Sequence, residues 1–190
     1  MYKAIILTIC TIFLGGCSKE KPRDGEVSLK EKFHGKYEII SSISDVSVDI
    51  NMDGVSSNNL LIENFEVSGS KLELRILNSN EHLFSESWPV EYIVIPRGEI
   101  FDSTRYHPTY RIYYALHGYD RMFRFSDDQK FIQLVQSVVE DTTNTLIQVE
   151  SLTVEEDKTI KVAEKRKLYT SNGWIKTRIV STYRRYTKIT

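Results

Sequence analysis

From Phe33 to the end of the chain, apolar and polar residues alternate with a period of two, the pattern of half-buried β-strands. Leu72, Leu74 and Ile76 alternate with Lys71, Glu73 and Arg75. Val90, Tyr92 and Val94 form a second face, and Tyr110, Ile112, Tyr114 and Leu116 a third. Shorter runs are Val46, Val48 and Ile50, then Ile160 with Val162, and finally Ile175, Ile179 and Tyr183 between Lys176 and Arg178. Turn-forming clusters separate these runs, among them Asp53-Gly54, Ser68-Gly69-Ser70, Pro96-Arg97-Gly98 and Asn172-Gly173. Asn172-Gly173 between two strand runs predicts a hairpin, with a type I′ turn that has positive φ at both positions. No amphipathic helix longer than three turns is predicted. The stretch Lys130 to Val139 reads as strand, because Ile132, Val135, Val138 and Val139 are β-branched. About eight to ten short antiparallel strands joined in sequence predict an all-β meander, closed as a barrel or folded as a β-sandwich.

The N-terminal segment follows a different pattern. Lys3 is followed by the uncharged apolar run Ala4 to Leu14 and then by Gly15-Gly16-Cys17, the three-part layout of a secretory signal. A membrane-spanning helix needs about 20 apolar residues, and this run is shorter. Leu14-Gly15-Gly16-Cys17 resembles the lipobox of bacterial lipoproteins, an aliphatic residue and two small ones before a cysteine. The resemblance implies cleavage before Cys17, a diacylglycerol on its thiol and acylation of the new amino group. The division that follows is a signal peptide over 1–16, a lipidated Cys17 with a charged flexible linker over 17–32, and one β domain over 33–190. Within the linker, Ser28-Leu29-Lys30-Glu31 has the form of a helix capping box and predicts a short helical turn. By resemblance to enteric lipoproteins, Ser18 after the cysteine suits outer-membrane sorting, with the domain periplasmic or surface-exposed.

Composition narrows the function. Cys10 and Cys17 are the two cysteines of the chain. One leaves with the signal and the other is acylated, so the domain is expected to stand without a disulfide. With Lys3 removed, 24 basic residues face 26 acidic ones, a net charge of about −2. That balance argues against nucleic acid and against a polybasic membrane face.

Gly35-Lys36-Tyr37 opens the first strand and resembles the Gly-x-Trp opening of lipocalins, with Tyr37 in place of the tryptophan. It has the Gly-Lys-aromatic form of lipocalin-like lipoproteins of the Bacteroidetes. Asp49-Ile50-Asn51-Met52-Asp53-Gly54 with Leu60-Leu61, and the ending Gly173-Trp174 to Tyr183, are similar to segments of the same group. The resemblance implies an eight-stranded barrel whose base is closed by the aromatic at position 37.

Asp49, Asn51 and Asp53, followed by Gly54, are spaced like the first ligands of a calcium loop. Position twelve of that loop is Leu60 where a glutamate is wanted, and Glu63 falls three residues late. The pattern therefore favours a polar turn, with weak calcium binding as the alternative. Tyr92, Tyr106, Tyr110, Tyr113, Tyr114 and Tyr119, flanked by His107, His117, Arg105 and Arg111, suit either strand packing or an amphipathic ligand surface. His34, His82, His107 and His117 show no zinc-like spacing. No nucleophile elbow, metalloprotease motif or phosphate loop occurs, so no catalytic residue, no cofactor and no enzyme are expected. Trp88-Pro89 predicts a strand edge or bulge. Glu164-Lys165-Arg166-Lys167 predicts a solvated strand face.

These readings combine into an envelope lipoprotein whose barrel encloses a small apolar or amphipathic ligand. The alternatives are an envelope interaction or structural protein with a solid barrel, and a hydrolase without recognisable motifs.

Overall fold

The computed structural model describes residues 24–135 and 147–187. Cys17, the signal segment and the part of the predicted 130–139 strand beyond Val135 lie outside the described residues.

The charged stretch predicted as linker is helical from its eighth residue: α1 spans Asp24–Phe33. Lys30 and Lys32 fall in its last turn, where cations complement the helix dipole. Tertiary packing holds it, since Leu29 rests against the core and Phe33 is buried within it. The strands follow as β1 (Gly35–Val48), β2 (Ser57–Asn59), β3 (Lys71–Arg75), β4 (His82–Val94), β5 (Arg111–Phe125), β6 (Phe131–Leu134), β7 (Ile147–Val154), β8 (Ile160–Thr170) and β9 (Gly173–Thr187). Between β2 and β3 lie a single helical turn, α2 (Leu60–Glu63), and a 3-10 segment, Phe65–Gly69.

Each strand pairs antiparallel with its neighbour in the order β1-β3-β4-β5-β6-β7-β8-β9, and β9 pairs back onto β1. The result is a closed eight-stranded up-and-down barrel, with β2 as an extra strand on the far end of β1. This is the barrel rather than the sandwich of the two predicted architectures. Closure removes the open sheet edges that would otherwise template association.

One end of the barrel, the base, is shut. Tyr37 is fully buried there, and its hydroxyl donates to the Phe33 carbonyl at 2.6 Å. Burial pushes that hydroxyl up to about 12. Phe33 meets Phe125 at 4.6 Å between ring centroids, and Phe125 meets Phe123 edge to face at 5.3 Å. Gly35, beside Tyr37, has φ +151°, and a Cβ there would lie 2.3 Å from the Thr187 carbonyl oxygen. That close approach between the first and last strands explains the glycine of the Gly-x-aromatic opening.

Above the base, Leu72, Leu74, Phe84, Phe123, Ile160, Val162 and Ile179 fill the interior. Each such side chain contributes roughly 1.5–3 kcal/mol by leaving water. A register shift between Ile39 and Ser41 switches the inward face of β1 from Tyr37 and Ile39 to Ser42 and Ser44. Ser42 Oγ then meets Ser181 Oγ of β9 at 3.1 Å.

Three local expectations are corrected. Glu164 and Arg166 are 0% and 3% exposed, so half of the run read as a solvated face points inward. Alternation along β8 forces this, and the partners described below make it tolerable. At the Asn172-Gly173 hairpin Gly173 has φ +81°, whereas Asn172 is not among the positive-φ residues. The turn is therefore not type I′; one left-handed glycine after Ser171-Asn172 fits a type I turn with a G1 bulge. Trp88-Pro89 makes no bulge in the β4–β5 ladder, where Pro89 stands regularly opposite Leu116. Its missing N–H does no harm because β3 has ended, its last pair with β4 being at Ser87.

Candidate ligand cavity

The middle of the barrel is polar where it should be most apolar. Arg166 on β8 donates through Nη2 to Glu86 Oε2 on β4 at 2.7 Å. Through Nε it donates to Glu164 Oε1 on its own strand. Tyr183 of β9 donates its hydroxyl to Glu86 Oε1 at 2.7 Å. The guanidinium also stacks on Trp88, 4.4 Å from the ring centroid, a contact that strengthens when desolvated. All four polar residues are buried, and Glu164 Oε2 has no hydrogen-bond partner. Burial, then the nearby charge of Glu86, holds the Glu164 carboxyl well above the ordinary carboxylate range. Burial also raises the Tyr183 hydroxyl.

Above this layer the interior opens. In β4 the buried positions run through Phe84, Glu86 and Trp88 and then shift to Pro89 and Glu91, with no break in register against β5. Tyr92 is 46% exposed. The pairing beside it is partial among the described residues. β6 pairs with β5 only at Phe123 to Phe125, and β7 pairs with β8 no higher than Ile147 opposite Arg166. The opening leads to a cavity of about 300 Å³. Trp88, Val90, Tyr92, Ile147, Leu168 and Trp174 form its apolar walls, and Glu91, His117, Arg166 and Lys167 its polar points.

The polar points are held individually. The Tyr92 hydroxyl hydrogen-bonds Nε2 of His117, which stands opposite Trp88 in the β4–β5 ladder. Lys167 Nζ lies 4.8 Å from the Trp174 ring centroid. Glu91 is only 9% exposed and accepts backbone N–H bonds from its own residue and from Tyr169. Desolvation pushes its carboxyl up to about 7, Arg166 being the charge that opposes the shift. Over the top, the β4–β5 loop folds onto the β8–β9 hairpin: Trp174 N–H donates to the Ser103 carbonyl at 3.1 Å, and Tyr106 N–H to that of Ser171 at 3.1 Å. A second depression of about 270 Å³ lies on the outer wall, lined by Lys36, Lys71, Ser85, Ser87, Asp120 and Tyr186. Charged and small residues dominate its lining, without the convergent aromatic walls of the first cavity.

The aromatic stretch singled out in the sequence is divided by the fold. Tyr92 and His117 reach the cavity. Tyr110 is buried, accepting from Asp102 N–H and donating to the Ile100 carbonyl. Tyr113 is exposed and Tyr114 packs on the core, the opposite faces expected of consecutive strand residues. Tyr119 stands edge to face with Phe84. Arg105 pairs with Asp102, and His107 bonds Thr109, both in the top loop.

Asp49, Asn51 and Asp53 form a polar turn. Asp49 accepts from the N–H of Asp53 and of Gly54, Asn51 from that of Asp53, and Asp53 from that of Val55. Glu63 turns to the Ile50 N–H at 3.2 Å, and burial raises its carboxyl. Among the described residues no group of three or more His, Cys, Asp or Glu is placed to hold a metal ion. Millimolar calcium should therefore leave the melting temperature unchanged; a rise of several degrees would show that the loop binds it.

No protein-family model matches the chain, and no curated protein matches it. Among solved structures it is similar to one described as "The Siderocalin Ex-FABP functions through dual ligand specificities", at 11% identity and a TM-score of 0.31. The match covers 84% of this chain and 73% of that one. At that level it carries no argument. The barrel here rests on its own strand pairing, and the cavity on its own residues.

Proposed function

We propose that this chain is an envelope lipoprotein, anchored through lipid on Cys17, whose barrel binds a small amphipathic molecule. The observation that carries the binding half is the cavity of about 300 Å³ walled by Trp88, Val90, Tyr92, Leu168 and Trp174. Ligand sites typically begin near that volume and combine apolar walls with a few fixed polar groups. At the base Phe33, Tyr37, Phe123 and Phe125 pack together, so the ligand is placed in the upper half above Arg166. The anchor is supported by the signal-like segment and the Leu14-Gly15-Gly16-Cys17 motif. One lipid chain binds a membrane only marginally, and the several chains expected on such a cysteine hold it firmly.

Two measurements test this. Native mass spectrometry of protein purified from its own host should show an added mass below about 500 Da. Val90→Trp, which fills the cavity mouth, should abolish it. An unmodified mass in both proteins would count against binding. Metabolic labelling with a fatty acid should mark the wild type, whereas Cys17→Ala should lose the label and leave the membrane fraction.

A second reading, an interaction or structural lipoprotein with a filled barrel, draws on one observation: Leu72, Leu74, Phe84, Phe123, Ile160, Val162 and Ile179 form one buried cluster. It gains if no small molecule travels with the protein.

A further inference from the structure

The charges around the cavity do not balance. Among the described residues Arg166 is the one buried guanidinium, and both Glu86 and Glu164 already engage it. Glu91 adds a third carboxyl from β4, facing Arg166 and the Tyr169 backbone of β8, with Tyr114 of β5 nearby. Among the described residues no ion pair holds Glu91. Lys167 reaches the cavity too, but its ammonium lies against the Trp174 ring. Once Glu91 and Glu164 have released their protons, three carboxylates share one matched cation in a desolvated space, and an added positive charge relieves the excess. The walls suit such a charge: Trp88, Tyr92 and Trp174 line the cavity, and aromatic faces attract ammonium groups. Trp174 already receives one from Lys167.

We infer that the cavity selects an amphipathic amine, its ammonium meeting Glu91 and its apolar body lying against Trp88, Leu168 and Trp174. This rests on the cavity being a ligand site and adds the chemical class. An amphipathic anion would instead face Glu91 and need Arg166 Nη1, the guanidinium nitrogen that neither carboxylate engages.

Three probes that share a phenethyl body separate the cases: phenethylamine, 2-phenylethanol and 3-phenylpropionate, titrated into the full-length protein by tryptophan fluorescence and calorimetry. At pH 8 phenethylamine should bind at least tenfold tighter than either of the others. At pH 6 its binding should release protons, measured in two buffers of different ionisation enthalpy, because the ammonium replaces the proton on Glu91. Glu91→Gln should weaken phenethylamine at least tenfold while leaving 2-phenylethanol within about twofold, which also shows that the variant is folded. Equal or tighter binding of the alcohol or the acid, proton uptake at pH 6, or an unaltered amine affinity in Glu91→Gln overturns the inference and leaves the cavity reading standing. Failure of all three probes to bind removes both.

Discussion

Replacing Arg166 with methionine should destabilise the barrel by about 3–5 kcal/mol at pH 8, as seen when one partner of a buried ion pair is removed. Methionine fills a similar volume and can still lie against Trp88, so lost packing is the smaller part of the effect. The larger part is electrostatic. Glu86 would keep only the Tyr183 hydroxyl, and Glu164 would keep neither charge nor donor from its present partners. Unmatched carboxylates in a desolvated core then either force water in or take up protons. Removing the guanidinium takes away the charge that opposes the rise of the Glu164 carboxyl, which burial already holds above its unfolded value. The variant should accordingly recover much of its stability as the pH falls towards 5, where the folded state holds those protons. Urea denaturation at pH 5 and pH 8 measures the difference. A loss equal at both pH values would mean that packing, not charge, is what Arg166 supplies. Glu86→Gln and Glu164→Gln added to Arg166→Met should restore most of the stability, since a neutral replacement of a buried charged cluster is often tolerated.

Glu91→Gln should act in the opposite direction. Its carboxyl is raised to about 7 by burial, against an ordinary value of 4.5. Between those values the folded state holds a proton that the unfolded chain has released. Stability therefore declines as pH rises from about 4.5 to about 7 and is flat above, as far as this group is concerned. The full difference corresponds to on the order of 3 kcal/mol. Glutamine keeps the shape and can accept the Tyr169 N–H through its carbonyl, without a charge to bury. The variant should gain up to that amount at pH 8, gain almost nothing at pH 4.5, and unfold with a shallower pH dependence than the wild type. Some slope should persist, because Glu164 is raised as well. A variant no more stable than wild type at pH 8 would show that Glu91 is not held desolvated. Carrying a carboxylate at a standing cost is what a binding group does when its partner arrives from outside.

Legibility varied with the range of the interaction. Strands were readable because one-sided burial stamps a period of two on Leu72 to Ile76 and on Ile160 to Val162. Where the pattern misled, the pairing decided: Val46 and Leu116 belong to alternating runs yet stand exposed, Leu116 at 56%. The base was partly readable through Gly35-Lys36-Tyr37, whose glycine answers to a contact with Thr187 at the other end of the chain. Helix α1 was underestimated because what stabilises it is packing of Leu29 and Phe33, not local propensity. Of the cavity, Tyr92 and His117 were singled out, but among a dozen similar residues. Glu91, Leu168 and Trp174 carry no motif, and they meet only once β4, β8 and β9 are placed around one cavity. The buried charges were the hardest. Glu164 and Arg166 look like solvent-facing residues until the parity of β8 is known and Glu86 is placed 80 positions away across the barrel.

The β1–β9 seam sets the order in which the molecule can form. Ser42 and Ser181, opposed across it, are 139 positions apart. Hairpins such as β4–β5 and β8–β9 can assemble from neighbouring segments, but the cylinder waits for its last strand. Until β9 arrives, β1 and β8 each present an unpaired edge, and the carboxylates of Glu86 and Glu164 face an unfinished interior. A chain synthesised from its N-terminus therefore spends nearly its whole synthesis as an open sheet. It becomes a sealed vessel only when the final fifteen-residue strand clears the machinery behind it.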